Sequence, residues 1–136
     1  MLAYVLVSIV CIFWWRHRYD KEIKPFTSYA RLNNLAMGMD DYKQRNGRWP
    51  TDISELVKLR PDLVIDTTDA YGGAVILVDY QKDTGYGELI SYGSDKKPGG
   101  TNKYERDVAV RFPTDDEKIK QWNEQECKRV HYTLGQ

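Results

Sequence analysis

The chain begins with an uncharged apolar run, and this run limits the folds that the chain can adopt. Residues 1–15 (MLAYVLVSIVCIFWW) carry no charged side chain. A transmembrane helix needs roughly 20 apolar residues, so the run is slightly short unless the bilayer thins or Arg16 and Arg18 reach back to its surface. The paired tryptophans Trp14 and Trp15 suit a membrane interface. We expect a membrane anchor over residues 1–15, with a buried core helix as the alternative.

The composition fits one globular domain and excludes several classes of function. At 136 residues the chain is long enough for one core and short for two. Lys plus Arg and Asp plus Glu number 20 each, so zero net charge gives no reason to expect a nucleic-acid partner. The two histidines and two cysteines have no zinc-ligand spacing, and we expect no disulfide framework. Without a nucleophile elbow or a phosphate-binding glycine loop, we expect a non-enzymatic protein without a small-molecule substrate.

A helix with one apolar face follows the apolar run. Residues 16–27 are charged and contain Pro25, which should kink the helix or mark a short interruption. Apolar side chains then recur at i, i+3, i+4, i+7 and i+10, which places them on one helical face. Asn46-Gly47 should end the helix, because both residues tolerate a left-handed backbone. This apolar stripe, which we expect to cover a sheet, consists of Leu32, Leu35, Ala36, Met39 and Tyr42.

A short helix and a small sheet are predicted next. Thr51 is expected to cap the short helix. Residues 74–80 (AVILVDY) and 86–92 (YGELISY) are rich in β-branched and aromatic side chains. The turn residues 82–85 between them predict an antiparallel hairpin. Residues 107–112 (DVAVRF) predict a third strand.

A C-terminal helix is predicted from a capping-box pattern, in which Thr114 to Glu117 (TDDE) place acidic side chains at the positive end of the helix. Ile119 and Trp122 should share one face of it. The predicted fold class is α+β, with a long transmembrane and then amphipathic N-terminal helix packed on a small antiparallel sheet, plus an extra C-terminal helix. The predicted domains are an anchor (1–15), a charged juxtamembrane helix (16–27), a globular domain (28–112) and a helical tail (113–136).

Three motifs, in this order, resemble the major pseudopilin of bacterial type II secretion systems. They are residues 41–51 (DYKQRNGRWPT), residues 69–73 (DAYGG) before a strand, and residues 91–100 (SYGSDKKPGG) followed by Asp107 and Val108. The resemblance covers roughly residues 28–110 and lies in the order and spacing of the motifs rather than in any single one. It implies a pilin-like fold and a structural role in a type II secretion or related type IV pilus-like fibre.

The resemblance also implies a calcium site. In the family, the acidic loop before the last strand binds calcium, which takes six to eight oxygen ligands. The alternative is that the first aspartate of this loop only caps a turn, as Asp often does in Gly/Pro loops. Asp69 is likewise expected to form a turn rather than bind a ligand. The implied ligands are the carboxylates of Asp95 and Asp107, the backbone carbonyls of Tyr92 and Lys97, and an oxygen of Glu105.

Two functions stay open. The resemblance implies that copies of this chain or other pseudopilin-like subunits associate through the N-terminal helix. It also implies contact with membrane lipid and a location in the bacterial inner membrane, with the domain in the periplasm. The family's mature chain starts with Phe-Thr-Leu-x-Glu, whereas Val5 stands at the glutamate position if Met1 is counted as the first residue. This departure favours the alternative, a single-pass membrane protein that uses the domain as a stand-alone calcium-binding or protein-interaction module.

The basic residues after the apolar run predict the opposite orientation. Arg16, Arg18, Lys21 and Lys24 follow the run closely, and no basic residue precedes it. By the positive-inside rule these charges place the domain in the cytoplasm. We follow the family resemblance and expect the domain outside the cytoplasm.

Overall fold

The fold consists of a long N-terminal helical rod (residues 2–46), a small antiparallel sheet and two shorter helices. The computed structural model describes residues 2–59, 61, 67–100 and 107–132. The three strands form one antiparallel sheet in the order β1-β2-β3. In chain order the elements are α1 (Leu2–Arg18), a π-helical segment (Tyr19–Ile23), α2 (Lys24–Asn46), α3 (Ile53–Leu59), β1 (Ile76–Gln81), β2 (Tyr86–Ser91), β3 (Val108–Phe112) and α4 (Glu117–Tyr132).

Just before Pro25 the backbone hydrogen bonds of the rod change from the α-helical to the π-helical pattern. The backbone N–H of Lys24 donates to the carbonyl of Tyr19, five residues earlier, which is the π-helical pattern. Pro25 then lies in the first turn of α2, where its missing N–H is tolerated. The interruption expected at Pro25 is therefore confirmed, and it consists of a π-helical segment.

The large apolar side chains of α1 between Tyr4 and Trp15 are exposed. They include Trp14 and Trp15, which keep 62% and 65% of their surface exposed. Among the residues that the structure describes, we find no helix with both the length and the apolar character needed to cross a membrane. The anchor over residues 1–15 therefore stays a prediction.

The apolar stripe of α2 forms the centre of the core, as predicted. Its five members are buried and pack against Leu89 of β2 and Val110 of β3. Alternate residues of β2 and β3 are buried, as expected when one face of a sheet meets a helix. Gly47, with φ 72°, ends α2 in the left-handed conformation that was expected there.

The predicted hairpin and third strand are confirmed, and an aromatic cluster closes one end of the sheet. Trp49 stacks on Tyr80 with ring centroids 5.2 Å apart and lies 5.0 Å from the ring of Phe112. Gly87 lies opposite Phe112, and a Cβ atom at this glycine would come within 2.2 Å of the ring. Glycine is therefore required at residue 87 for steric reasons.

The cap predicted for α3 is wrong. The side chain of Asp52, rather than Thr51, accepts a hydrogen bond from the N–H of Ser54 at 2.7 Å. A capping side chain must lie directly before the first helical residue to reach this N–H, and Asp52 is the residue in that position.

The capping box predicted for α4 is also wrong, although the helix itself is present. Asp116 accepts hydrogen bonds from the N–H groups of Lys118 and Ile119 at 2.9 and 3.1 Å. Thr114 instead donates its backbone N–H and its hydroxyl to Asp40 of α2. Thr114 therefore fixes the chain before α4 against α2.

Candidate functional site

The loop between β2 and β3 carries the predicted calcium ligands and is shaped by its own aspartates. Oδ1 of Asp95 accepts a hydrogen bond from the backbone N–H of Lys97 at 3.1 Å. Lys96 between them has φ 56°, a left-handed conformation that is unusual for a residue other than glycine. Asp95 therefore forms the turn that was considered as the alternative to a ligand role.

Asp107 holds the same loop from the other side. Its Oδ2 atom accepts a hydrogen bond from the N–H of Gly99 at 2.9 Å, two residues beyond the N–H that Asp95 binds. Its Oδ1 atom is buried and has no hydrogen-bond partner among the described residues. A buried carboxylate oxygen without a partner is costly, so this atom is suited to accept a hydrogen bond or bind a cation.

The other predicted calcium ligands give less structural support for the site. Tyr92 is half-buried and Lys97 is exposed, while Glu105 lies outside the described residues. Within the described ranges, no group of three or more His, Cys, Asp or Glu side chains is placed to hold a metal ion. The structure brings Asp95 and Asp107 to one loop segment, and calcium binding there stays a prediction.

Asp69 is the buried centre of a tight turn. It is 2% exposed, and its Oδ1 atom accepts hydrogen bonds from the N–H groups of Tyr71 and Gly73 at 2.9 and 2.7 Å. Its Oδ2 atom accepts a hydrogen bond from the hydroxyl of Ser91, at the end of β2, at 2.6 Å. The predicted turn-forming role of Asp69 is therefore confirmed.

Helix α2 holds this turn through two polar side chains that the sequence motifs did not single out. Arg31 donates through Nη1 to the carbonyls of Thr68 and Asp69 at 3.2 and 2.9 Å. The hydroxyl of Ser28, which is fully buried, accepts a hydrogen bond from the N–H of Ala70 at 3.1 Å. Both residues lie beside the apolar stripe, but nothing in the sequence pairs them with a turn about forty residues away.

The connection from α2 to α3 is organised around Glu55. Its carboxylate accepts hydrogen bonds from Nη2 of Arg48 at 2.7 Å, from the hydroxyl of Tyr42, and from the N–H and hydroxyl of Thr51 at 2.9 Å each. The bond from Arg48, followed by that from Tyr42, holds the pKa of Glu55 well below its usual range. Residues 41–51 thus serve a structural connection.

Two other groups between α2 and the C-terminal region have shifted pKa values. Burial raises the pKa of Asp40, against the opposing effect of its hydrogen bonds from Thr114. Burial, with smaller effects from Cys127 and the nearby acidic side chains of α4, raises the pKa of Tyr29 to about 12. The Tyr29 hydroxyl therefore keeps its proton at neutral pH and donates it to the carbonyl of Asn123 at 2.9 Å.

Comparisons with known proteins do not assign the chain to a family. Neither protein-family models, nor curated proteins, nor solved structures give a significant match to this chain. Its function is therefore inferred from its geometry and its sequence motifs.

Proposed function

We propose that this chain is a structural, non-enzymatic subunit of a pseudopilin-like fibre in a type II secretion or related type IV pilus-like system. The observation that supports the proposal is the division of the N-terminal rod into two parts. The large apolar side chains of α1 between Tyr4 and Trp15 are exposed, whereas the stripe of α2 is buried against the sheet. In such a subunit α1 enters the membrane and packs against neighbouring copies, and the domain faces outward.

The end of α1 has the side chains expected at a membrane surface. The guanidinium of Arg18 lies 5.4 Å from the ring centroid of Trp14, and Trp15 stacks on Tyr19 at 5.6 Å. Amphipathic rings next to arginine suit the boundary between lipid and water. Each fully buried large apolar side chain contributes about 1.5–3 kcal/mol, so transfer of α1 from water into lipid, or against copies of itself, is strongly favoured.

The proposal includes calcium in the loop between β2 and β3. The proposed ligands are Asp95 and Asp107, with the backbone carbonyls of Tyr92 and Lys97 and an oxygen of Glu105. The Oδ1 atom of Asp107 has no hydrogen-bond donor among the residues that the structure describes, and this supports the assignment because such an oxygen is available to a cation. Bound calcium would add a link between the two sides of the loop that the aspartates already hold.

A reporter fused after Gln136 tests the orientation that the fibre requires. We expect an alkaline phosphatase fusion in bacteria to be active and a green fluorescent protein fusion to be dark, because the domain is proposed to lie outside the cytoplasm. The matched control begins at Phe26, lacks α1, and should give inactive phosphatase. The reverse pattern in the full-length chain would support the positive-inside orientation and contradict the secretion-fibre role.

A further inference from the structure

A cavity of about 450 Å³ lies on the outer face of the sheet, between the β1–β2 hairpin turn, the end of β3 and the start of α4. Val110 and Phe112 of β3 are buried in the core, so Arg111 between them points to the outer face, where it lines the cavity. The cavity has the size of a small-molecule site, for which about 300–1,000 Å³ is usual. None of its described wall residues belongs to α1 or to the proposed calcium site.

Asn123 fixes α4 beside Arg111. Its Oδ1 atom accepts a hydrogen bond from the N–H of Arg111, and its Nδ2 atom donates to the carbonyl of Arg111, each at 2.9 Å. Asn123 is 6% exposed, so both hydrogen bonds are shielded from water. This pairing places Trp122, the preceding residue of α4, next to the side chain of Arg111.

The guanidinium group of Arg111 is held by two aromatic rings, one from each element that flanks β3. Its Cζ atom lies 4.1 Å from the ring centroid of Tyr86 on β2 and 3.8 Å from that of Trp122 on α4. Its Nε atom donates to Oε1 of Glu88, directly opposite on β2, at 3.3 Å. A ligand of this group would therefore not have to order a flexible side chain.

The terminal nitrogens of Arg111 are available to a ligand. Their N–H bonds lie in the plane of the guanidinium group, so rings stacked on its faces do not use them. Neither Nη1 nor Nη2 has a hydrogen-bond acceptor among the residues that the structure describes, and 22% of the side chain is exposed. Two parallel N–H groups match the two oxygens of a carboxylate.

The charges around the cavity favour a ligand with a single negative charge. Lys118 is exposed on the cavity wall and forms no ion pair within the described part of the chain, so it adds a positive charge to that of Arg111. Glu88 is paired with Arg111, and Oδ1 of Asp116 accepts hydrogen bonds from the N–H groups of Lys118 and Ile119. These two carboxylates already have partners, but their charges would oppose a second negative charge in the cavity.

We propose that this cavity binds a small organic carboxylate, whose oxygens accept hydrogen bonds from Nη1 and Nη2 of Arg111 and are attracted by Lys118. The exposed parts of the Tyr86 and Trp122 rings offer apolar contact to the body of the ligand. The ligand class is thus a monoanion with a planar or apolar body. The site is independent of the fibre proposal, because it uses neither α1 nor the calcium ligands.

Titration of the full-length chain in detergent with benzoate tests the proposal. The NMR signal of the Trp122 indole N–H, identified by its loss in Trp122→Phe, reports on the cavity. Benzoate should shift this signal in a saturable way, whereas benzamide, which has a similar shape and no charge, should not. The indole signal of Trp49, which packs on Tyr80 and Phe112 in the core, should not move. No saturable shift with benzoate, or equal affinities for benzoate and benzamide, would overturn the proposal.

Changes at Arg111 test its role. Arg111→Gln should weaken benzoate binding roughly tenfold, which corresponds to about 1.4 kcal/mol. Arg111→Lys should also bind weakly, because an ammonium group does not offer two parallel N–H groups. Wild-type affinity in a folded Arg111→Gln chain, with the Trp49 signal in its native position, would overturn the proposal.

A lysine pair decides the question if Arg111→Gln does not fold. Lys118→Gln should weaken benzoate binding roughly threefold, an effect typical of an exposed charge pair. Lys120→Gln is the matched control, since Lys120 is exposed on the same helix and is not part of the cavity wall. Equal affinities in these two chains would then overturn the proposal.

Phenyl phosphate tests the charge of the ligand. At about pH 8 it carries two negative charges, because its second pKa lies near 6. It should bind more weakly than benzoate, since Glu88 and Asp116 oppose the second charge. Tighter binding of phenyl phosphate would overturn the assignment to a monoanion.

Discussion

Leu35 lies in the middle of the α2 stripe and is 2% exposed. Leu35→Ala is expected to lower the free energy of unfolding by about 2–5 kcal/mol, because buried methyl groups are lost and a cavity forms between α2 and the sheet. Urea unfolding followed by circular dichroism measures this change. Met37→Ala is the matched control, since Met37 is 57% exposed on the same helix and its loss should stay within about 0.5 kcal/mol. Equal losses in the two variants would contradict the assignment of Leu35 to the core.

Asp69 shows how much of a single residue's role can be inferred from sequence. An aspartate followed by Ala-Tyr-Gly-Gly predicts a turn, and the hydrogen bonds that Asp69 accepts from the N–H groups of Tyr71 and Gly73 match that prediction. The bond from Ser91 could not be predicted, because no local pattern identifies which hydroxyl 22 residues away faces the turn. Local hydrogen bonds follow from residue type, whereas distant ones depend on how the elements pack.

At the scale of elements, the connection between α2 and α3 should contribute to acid sensitivity. The pKa of Glu55 is lower in the folded state, so the folded chain binds a proton at the Glu55 carboxylate less readily than the unfolded chain. The resulting stabilisation is present above the unfolded pKa of about 4.3 and is lost as the pH falls below it. The wild-type chain should therefore lose more stability than Glu55→Gln between about pH 5 and pH 3.

Melting temperatures of both chains across that range measure the difference. Asp40 affects stability at low pH in the opposite direction to Glu55. Its pKa is raised in the folded state, so the folded chain binds a proton at Asp40 more readily than the unfolded chain. This contribution is common to both chains and cancels in the comparison. Parallel curves for wild type and Glu55→Gln would contradict a role for Glu55 in acid sensitivity.

The loop between β2 and β3 should respond to calcium. An ion bound only by the folded state stabilises it by about 2.7 kcal/mol at a hundredfold excess over Kd, so calcium should raise the melting temperature and chelator should lower it. Asp95→Ala should abolish the response, whereas Asp83→Ala in the hairpin turn should preserve it. Magnesium should substitute poorly, because it prefers a rigid octahedral site and holds its water. Identical melting curves in calcium and chelator would leave Asp95 as a turn residue only.

The elements themselves were largely predictable, and their caps and partners were not. Helical periodicity identified the α2 stripe, and β-branched and aromatic content with turn residues identified the hairpin, because these signals are local in the sequence. The caps were placed too early because Thr51 and Thr114 each precede an aspartate that lies nearer the helix. The hydrogen bonds from Asn123, Glu126 and Arg129 of α4 to the backbone of β3 left no signal, since these residue types are common on helices and no local pattern shows which strand they face.

For the whole molecule, the core should not depend on α1. The buried stripe begins at Leu32, well after the π-helical segment, so a chain that starts at Phe26 is expected to fold. It should stay monomeric in aqueous buffer, as measured by light scattering, with helix and sheet signals in circular dichroism. The full-length chain should need detergent, because α1 exposes its large apolar side chains between Tyr4 and Trp15. A shortened chain that is unfolded or insoluble would show that the stripe does not suffice for the core.

The sequence defined the molecule as an apolar helix, a stripe-bearing helix and a sheet, and the structure supports that α+β arrangement. Membrane insertion and assembly would add contacts of α1 with lipid and with neighbouring copies, and the reporter fusion tests the orientation that they require.

The π-helical segment Tyr19–Ile23 also fixes the rotational phase between the two ends of the rod. A π-turn holds one residue more than an α-turn, and one residue corresponds to about 100° of rotation around a helix and about 1.5 Å along it. The segment therefore turns the apolar side chains of α1 by roughly a quarter of a circle relative to the domain, with almost no change in length. Deleting one residue within it would point a different side of α1 at a neighbouring copy while leaving the core of the domain intact.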